Sequence, residues 1–523
     1  MTTTTTQPTY AGERAAVTPR ERATLLAAVL IISICAITYE LIVGTLSSYL
    51  LGDSVTQFSF TIGFFLFAMG IGALFSRRIQ QGELRWFIIV ELLTGLFGGI
   101  SASLLYAVFA ISSDVYTYYL AMIGITLALG ICIGLEIPLL TRIVAHRAEL
   151  SKALADIFSI DYLGALIASL AFPLLLLPAL GVVRTAFLMG LFNIVIAMLC
   201  LRLFQGRLSR EWGRRLWIGA GGVLAVMITG TILSASILDF FEQQLYSDRI
   251  IFREQSTYQR LVITRNNEDV RLFLDGNLQF SSRDEYRYHE MLVHPVMSAA
   301  RSRETVLVLG GGDGFVAREV LKYDDVQRVI VVDLDPEITD LARNNLLLTR
   351  LNGDALDDSR VEVVNGDAYR YLEDSSDLYP VVIIDLPDPN NEGLSKLYSR
   401  EFYRLLRQHM TPDGVFVTQA ASPYFVREAY WMIANTIEAE GFHIVPLHTY
   451  VPSFGDWGFV IGRLYPGAQV EVPADIPLRY LTPDVLTAAL VFDPDIARLD
   501  TDINTLDHPV LPRAYALGWR QWD

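Results

Sequence analysis

The sequence predicts a multi-span α-helical membrane domain fused to an α/β, Rossmann-like domain that carries a small N-terminal antiparallel β-sheet. Three observations predict it. Apolar residues gather in the front half in runs long enough to cross a bilayer, the charge balance changes sign where those runs stop, and strands alternate with helices from residue 305 onward. Through Leu238 the chain carries 15 Lys and Arg against 12 Asp and Glu; the remainder carries 26 against 45. An acidic back half disfavours nucleic acid and attracts small cations, although an acidic surface also serves solubility.

The chain reads as five segments. Residues 1–22 begin with the low-complexity MTTTTTQPTY and are expected to be disordered; 23–239 form a seven-helix transmembrane domain. Residues 240–300 hold a connector and a small β-sheet subdomain, 301–465 the Rossmann-like domain, and 466–523 a C-terminal extension without an interpretable motif.

The seven apolar stretches are residues 24–45, 56–75, 86–110, 116–140, 157–179, 185–204 and 216–238. No small-residue cleavage pattern follows the first, so it reads as a retained helix rather than a removed signal peptide. Basic residues cluster in alternate loops: Arg14, Arg20 and Arg22; Arg77, Arg78 and Arg85; Arg142, Arg147 and Lys152; then Arg202, Arg207, Arg210, Arg214 and Arg215, with Arg184 the exception. By the positive-inside rule the N-terminus lies in the cytoplasm and, after seven spans, the acidic half lies outside. Cys35, Cys132 and Cys200 sit inside apolar runs and have neither disulfide nor zinc spacing. Four carboxylates, Glu40, Glu91, Glu136 and Asp161, fall within the spans. A charge at such a depth costs ~2.5–3.5 kcal/mol on insertion scales, so these groups either line a path for cations or tie helices together as hydrogen-bonded neutral acids.

Beyond Leu238, QRLVITRN and VRLFLDGNLQFS alternate in polarity around the turn NNED, which predicts the small antiparallel sheet. From Thr305 the pattern runs TVLVLG, FVAREVLKY, RVIVVDLD, PEITDLARNNL, VEVVNGD, PVVIIDLPD, SREFYRLLRQHM, GVFVTQA. Such alternation specifies a doubly wound parallel sheet with its ligand at the carboxyl ends of the strands. Gly310, Gly312 and Gly314 make the first strand-to-helix turn, and Asp333 ends the next strand, well placed to accept hydrogen bonds from a ribose diol. The third glycine of a dinucleotide fingerprint would fall at Phe315, which argues against NAD.

Asp313 stands inside that turn, where it would repel a pyrophosphate and blunt the positive helix terminus. A ligand cationic at this end is expected. In the related S-adenosylmethionine-methyltransferase loop, D-x-G-x-G-x-G, the leading acid binds the ligand's ammonium; here Val308 holds that position and the acid has moved to Asp313. Decarboxylated S-adenosylmethionine keeps a terminal amine that Asp313 can pair with, while the carboxylate of the parent compound would be repelled. The stretch YHEMLVH does not predict zinc, because its histidines are five apart, about 140° round a helix. No metal is predicted.

Residues 250–465 resemble the polyamine aminopropyltransferase (spermidine synthase) family through TYQRLVI, LFLDGNLQFSSRDEYRYHEMLVHP, VLVLGGGDG, VVNGDAYRYL, IIDLPDP and VTQAASPYF. The helical front resembles the membrane-integrated branch of that family. The resemblance implies a donor site lined by Gln259, Gln279, His289, Gly310 and Gly312, with Asp313 on the aminopropyl amine, Asp333 on the ribose, and Asp367 with Ala368 at the adenine edge. It implies Asp385 as catalytic base, with Tyr288 beside the reacting amine, and Asp388 and Gln419 on the acceptor side. It further implies decarboxylated S-adenosylmethionine as co-substrate without a tightly bound cofactor, putrescine or a related polyamine as acceptor, and a homo-oligomer. The chain departs from the family at Leu386 and Pro387, where a small hydroxylated residue follows the catalytic acid; at NNEGLSKLYS, residues 390–399; and at Phe454, where a Tyr orients the acceptor amine. Tyr450 or Tyr288 would have to take that last role.

The residue types suit the chemistry. An amine of pKa ~10.4 arrives protonated and must lose a proton before it attacks, and a carboxylate raised by burial and by a like-charged neighbour can take it. Two other functions fit the sequence: a diamine N-methyltransferase using S-adenosylmethionine, and a polyamine transporter or sensor whose back half binds without turnover. The location expected is the cell membrane, multi-pass. The side stays open, because the loop charges put the acidic half outside while a cytosolic, permanently cationic donor favours the inside.

Overall fold

The computed structural model describes residues 19–52, 54–112, 114–144, 150–467 and 470–522. They form two compact units, the first ending at Leu245 and the second beginning at Tyr246. The stretch read as a disordered N-terminus lies almost wholly outside the described residues, as do Arg14 and Arg147.

The first unit is helical: α1 (Pro19–Leu51), α2 (Ser54–Phe75), α3 (Glu83–Ile111), α4 (Val115–Val144), α5 (Leu150–Ala171), α6 (Leu177–Leu203) and α7 (Arg210–Leu245). Among the described residues six helical stretches are long and apolar enough to cross a membrane, and the longest, Leu154–Leu203, has 50 residues. That stretch is not one rod. Pro173 and Pro178 remove amide donors, Gly181 leaves helical geometry (φ 68°, ψ 173°), and the Thr185 hydroxyl reaches the Leu176 carbonyl at 3.4 Å. Nine residues of continuous helix would separate those two by roughly 13 Å, so the chain doubles back and α5 and α6 are separate apolar helices. α7 runs on through 240–245, six residues into the stretch read as connector. α2 and α4 pack backbone to backbone: a Cβ on Gly134 would lie 2.2 Å from the Met69 carbonyl oxygen, so only glycine permits the approach.

The second unit opens with a four-stranded antiparallel sheet in the order β1 (Arg249–Gln255), β2 (Arg260–Asn266), β3 (Asp269–Leu274), β4 (Asn277–Ser281). Asp275 and Gly276, both at positive φ, make the tight β3–β4 hairpin that Asp-Gly favours. Helix α8 (Glu285–Ala299) leads into a seven-stranded sheet of β5 (Thr305–Gly310), β6 (Arg328–Asp333), β7 (Val361–Asn365), β8 (Tyr379–Asp385), β9 (Met410–Gln419), β10 (His443–Val451) and β11 (Gly455–Arg463). Their spatial order is β10-β11-β9-β8-β5-β6-β7, with β11 antiparallel to β9 and β10 and the pairs among β5 to β9 parallel. Between the strands run α9 (Phe315–Val320), α10 (Pro336–Asn344), α11 (Leu346–Asn352), α12 (Ala368–Asp374), α13 (Glu392–Ser395), α14 (Arg400–Gln408) and α15 (Arg427–Ala439); α16 (Pro483–Ala489) and α17 (Leu511–Trp519) follow.

Strand β5 shows why its sequence is apolar throughout. Val306 and Val308 enter one core and Leu307 and Leu309 the other, so both faces are buried and neither can be polar. Strand order reverses between β5 and β8, and the crevice outside their carboxyl ends is where such sheets bind ligands.

Candidate active site

The residues singled out by sequence stand at the strand ends. Gly310 ends β5, Asp333 ends β6, Asp385 ends β8 and Gln419 ends β9. The β5 turn fits only glycine where it touches its neighbours. Gly310 has φ 83°, and a Cβ there would lie 1.9 Å from the Asp385 carbonyl oxygen, which the Gly311 amide reaches at 3.2 Å. A Cβ on Gly312 would lie 2.5 Å from Asp333 Oδ2, which accepts the Gly312 amide at 2.9 Å. The turn therefore sets one backbone amide on the Asp385 main-chain carbonyl and the next on the Asp333 carboxylate.

Asp333 also accepts the Asp335 amide, at 3.0 Å through Oδ1. Burial pushes its carboxyl up to about 6 despite those two bonds. Asp313 accepts the Phe315 amide at 3.1 Å and is pushed up to about 6 by burial, with His289 opposing the rise and Asp385 adding to it. His289 is buried, which disfavours its charged form, but Glu285 at 2.9 Å from Nδ1, and then Asp313 and Asp385, outweigh burial and raise it above the ordinary histidine range. The Tyr288 hydroxyl donates to Asp385 Oδ1 at 2.6 Å. Burial and that carboxylate keep the phenol protonated, while burial raises Asp385 itself against the restraint of His289 and Tyr288. Tyr288, His289, Asp313, Asp333 and Asp385 thus form one electrostatic group.

The acceptor-side residues form a second, adjoining group. Asp388 accepts from Gln419 Nε2 at 3.2 Å and from the Tyr515 hydroxyl at 2.6 Å; burial pushes its carboxyl up to about 6. Gln419 also donates to the Leu386 carbonyl at 2.8 Å and to the Tyr398 oxygen at 2.7 Å, and its Oε1 takes the Ala421 amide at 2.9 Å. Ala421 is held at φ 58°, a left-handed conformation for a residue with a Cβ, right beside this network.

Other site residues lie at the margin. Gln259 donates to Asp335 Oδ2 at 2.9 Å, two residues past the end of β6. Gln279, half-buried, donates to the Asn277 carbonyl. Asp367 caps α12, whose first residue is Ala368, through the Tyr369 and Arg370 amides and pairs with Lys396 at 2.6 Å. Partial burial pushes its carboxyl up, but Lys396 and those amides outweigh it and hold it below the ordinary range. At the departures from the family pattern, Leu386 serves through its backbone carbonyl, and the Phe454 ring packs edge-on against Tyr288 with centroids 5.9 Å apart. Tyr450 is exposed, so of the two phenols named for the orienting role it is Tyr288 that touches Asp385.

Four contributors went unread in the sequence. Glu285 bridges His289 and Arg318, an i,i+4 pair on α8 that helix spacing could have revealed. Lys396 and Tyr398 come from the divergent segment 390–399, which Asn504 holds through the carbonyls of Ser395 and Tyr398. Tyr515 comes from α17, 127 residues beyond Asp388, and no local signal marks it.

Among the described residues, none of Asp313, Asp333, Asp385 and Asp388 is paired with Lys or Arg. The strand order and this acid-lined crevice define the class: a Rossmann-like α/β domain with its ligand site at the carboxyl ends of the strands. Residues 285–469 match the spermine/spermidine synthase domain family. The chain is 44% identical over 508 residues to polyamine aminopropyltransferase 2 of Ralstonia nicotianae, covering 96% of this chain and 99% of that one. It is 42% identical over 499 residues to the polyamine aminopropyltransferase of Leptospira interrogans (95% and 99%) and 40% identical over 529 residues to that of Mycobacterium tuberculosis (98% and 100%). The crystal structure of spermidine synthase in complex with the transition state analogue AdoDATO aligns at a TM-score of 0.44 with 27% identity, covering 47% of this chain and 86% of that one. The chain belongs to the polyamine aminopropyltransferase family.

Proposed function

We infer that the protein transfers the aminopropyl group of decarboxylated S-adenosylmethionine to an amine of a polyamine, releasing methylthioadenosine. The observation that carries this reading is the row of acids at the strand ends, with His289 as the basic neighbour of Asp313 and Asp385 and no Lys or Arg pair among the described residues, where a dication donor and an ammonium acceptor supply the missing charge. Asp313 receives the donor's terminal ammonium and Asp333 the ribose hydroxyls. Asp388, fixed by Gln419 and Tyr515, receives the acceptor's distal ammonium. The near amine gives its proton to Asp385, whose raised affinity for protons suits it as a base, while Tyr288 fixes which carboxylate oxygen is free. The amine's lone pair then forms the C–N bond as the C–S bond breaks, its electrons leaving the sulfonium as a neutral thioether. Holding nitrogen, carbon and sulfur in line supplies much of the remaining acceleration.

Putrescine is the acceptor we propose, with Gln259, Gln279, Asp367 and Ala368 completing the donor site beside the small sheet. We also propose that the helical unit lies in the cell membrane as a multi-pass domain, supported by its apolar stretches and the arginines of alternate loops, and that the protein is a homo-oligomer, as the family resemblance implies. The test is turnover by the detergent-purified protein with putrescine and either decarboxylated or intact S-adenosylmethionine, with products identified by mass. Spermidine with methylthioadenosine, lost in Asp385→Asn, is the expected result; methylated diamine or no product overturns the reading.

A further inference from the structure

The helical unit contains buried polar side chains for which aminopropyl transfer has no use. Glu91 on α3 is fully buried and neither carboxylate oxygen has a hydrogen-bond partner among the described residues. Glu136 on α4, also buried, accepts the Thr94 hydroxyl at 3.1 Å, and no Lys or Arg pairs with either acid among the described residues. Asn193 on α6 is fully buried with both amide atoms unpartnered, and Tyr39 on α1 is fully buried with its hydroxyl unpartnered.

These groups meet on one face of α3. Glu91, Gly95 and Gly98 recur at i, i+4 and i+7 and share a face roughly 10 Å long. The Cβ of Asn193 lies 3.1 Å from where a Cβ on Gly95 would be, and Tyr39 Cζ lies 2.3 Å from the same point on Gly98, so both side chains occupy space that the glycines leave open. Glu91 and Glu136 act electrostatically on each other and on the Tyr39 hydroxyl. Asp161 on α5 also acts on Glu136.

Buried polar atoms are almost always satisfied, so this many orphans on one face indicate a missing partner. The carboxylates, the Asn193 amide oxygen and the Tyr39 phenol oxygen can accept from a cationic donor of hydrogen bonds, while the Asn193 amide nitrogen and the Tyr39 hydroxyl are themselves donors. No group of three His, Cys, Asp or Glu among the described residues is arranged to hold a metal ion, and the α3 positions that these side chains meet, Glu91, Gly95 and Gly98, follow one another in a line along the helix. A linear chain with N–H donors at its ends matches the line. We propose that the α3 face between Glu91 and Tyr39 binds a linear aliphatic diamine or polyamine in its cationic form, at a site separate from the strand-end crevice.

Equilibrium dialysis of the detergent-purified full-length protein against radiolabelled putrescine counts the classes of site. Two classes are expected in the unsubstituted protein. Glu91→Gln weakens one by about thirtyfold or more and leaves turnover unchanged, and Asp388→Asn weakens the other. Tyr39→Phe and Asn193→Ala, which keep the acids, weaken the first class less and carry the test if Glu91→Gln does not fold. A single class indifferent to Glu91, Tyr39 and Asn193 overturns the proposal, and so does an α3 site that sodium or protons fill without measurable affinity for putrescine. Turnover measured on the same samples keeps the two readings apart: an active enzyme with one class of site refutes only this inference, and an inactive one with two classes refutes only the aminopropyltransferase reading.

Discussion

The protein handles buried acids in two opposite ways. At the strand ends each acid is held before any substrate arrives: Asp333 by two amides, Asp313 by one, Asp385 by Tyr288, Asp388 by Gln419 and Tyr515. Between the helices, among the described residues, Glu91 has no donor and Glu136 has one hydroxyl. For Asp313 and Asp333 the backbone explains the difference. Strand ends and glycine turns leave amides free to aim at an acid, whereas a helix has spent its amides on its own carbonyls and leaves an acid on its flank to other side chains or to a ligand. Preorganisation for catalysis is cheap at the edge of a sheet and scarce within a bundle.

The largest expected effect tests whether the held acids are chemically active. Asp385→Asn should lower kcat by about 10³-fold, within the range for loss of a positioned base, with the acceptor KM changed only a few-fold. Initial rates check this, and a change confined to KM would make Asp385 a binding group like its neighbours. Asp313→Ala should narrow the preference for decarboxylated over intact S-adenosylmethionine by about 10²-fold, the scale of a lost buried charge contact. Competition between the two donors measures it; an unchanged preference would detach Asp313 from the donor amine.

The third prediction concerns stability and has a definite sign. Asp313 and Asp388 have folded-state values of about 6, above the ordinary ~3.9, so the folded protein binds protons more tightly than the unfolded chain. Their contribution is most favourable below about pH 4 and is lost as the pH rises through 6. Asp313→Asn and Asp388→Asn should each stabilise the substrate-free protein by about 1–3 kcal/mol at pH 8, with the gain shrinking towards pH 4. Thermal denaturation across that range reads the effect, and a loss of stability at pH 8 would mean the held acids carry no penalty. The same titration should lower turnover below about pH 6, as the acids lose the charge that receives ammonium groups. The smallest expected effect is at Tyr515→Phe, which removes one hydrogen bond to a charged group and should raise the acceptor KM about tenfold, leaving the donor KM unchanged. An equal change for both substrates would make Tyr515 a general structural contact.

The sequence disclosed the parts of the site that local rules govern. Gly310, Asp333 and Asp385 were legible because a buried parallel strand is an unmistakable apolar run and its carboxyl end is where ligands sit, whereas Gln419 was chosen by resemblance. The two helices either side of Gly181 were legible for the same reason, since each is a separate apolar run. Partners that reach the site from afar were not legible. Tyr515 and Asn504 lie in a stretch of ordinary composition, and only the tertiary fold puts them on Asp388 and on segment 390–399. Gln259 and Asp367 were chosen by resemblance, and sequence could not disclose that Asp335 and Lys396 already engage them. Nor could hydropathy tell which acids of the helical unit interact: Glu91 and Glu136 do.

The hydrogen bond from Tyr515 to Asp388 also sets an order of events during synthesis. A ribosome adding ~5–20 residues per second needs roughly 6 to 25 s to travel the 127 residues between them. From the point in that interval when β9 has been made, the strands β5 to β9 can pair and the donor end can form, while the acceptor end still lacks Tyr515. The nascent chain therefore passes through a stage that is able to bind its donor yet poorly equipped to hold an acceptor, and competence for turnover arrives with α17.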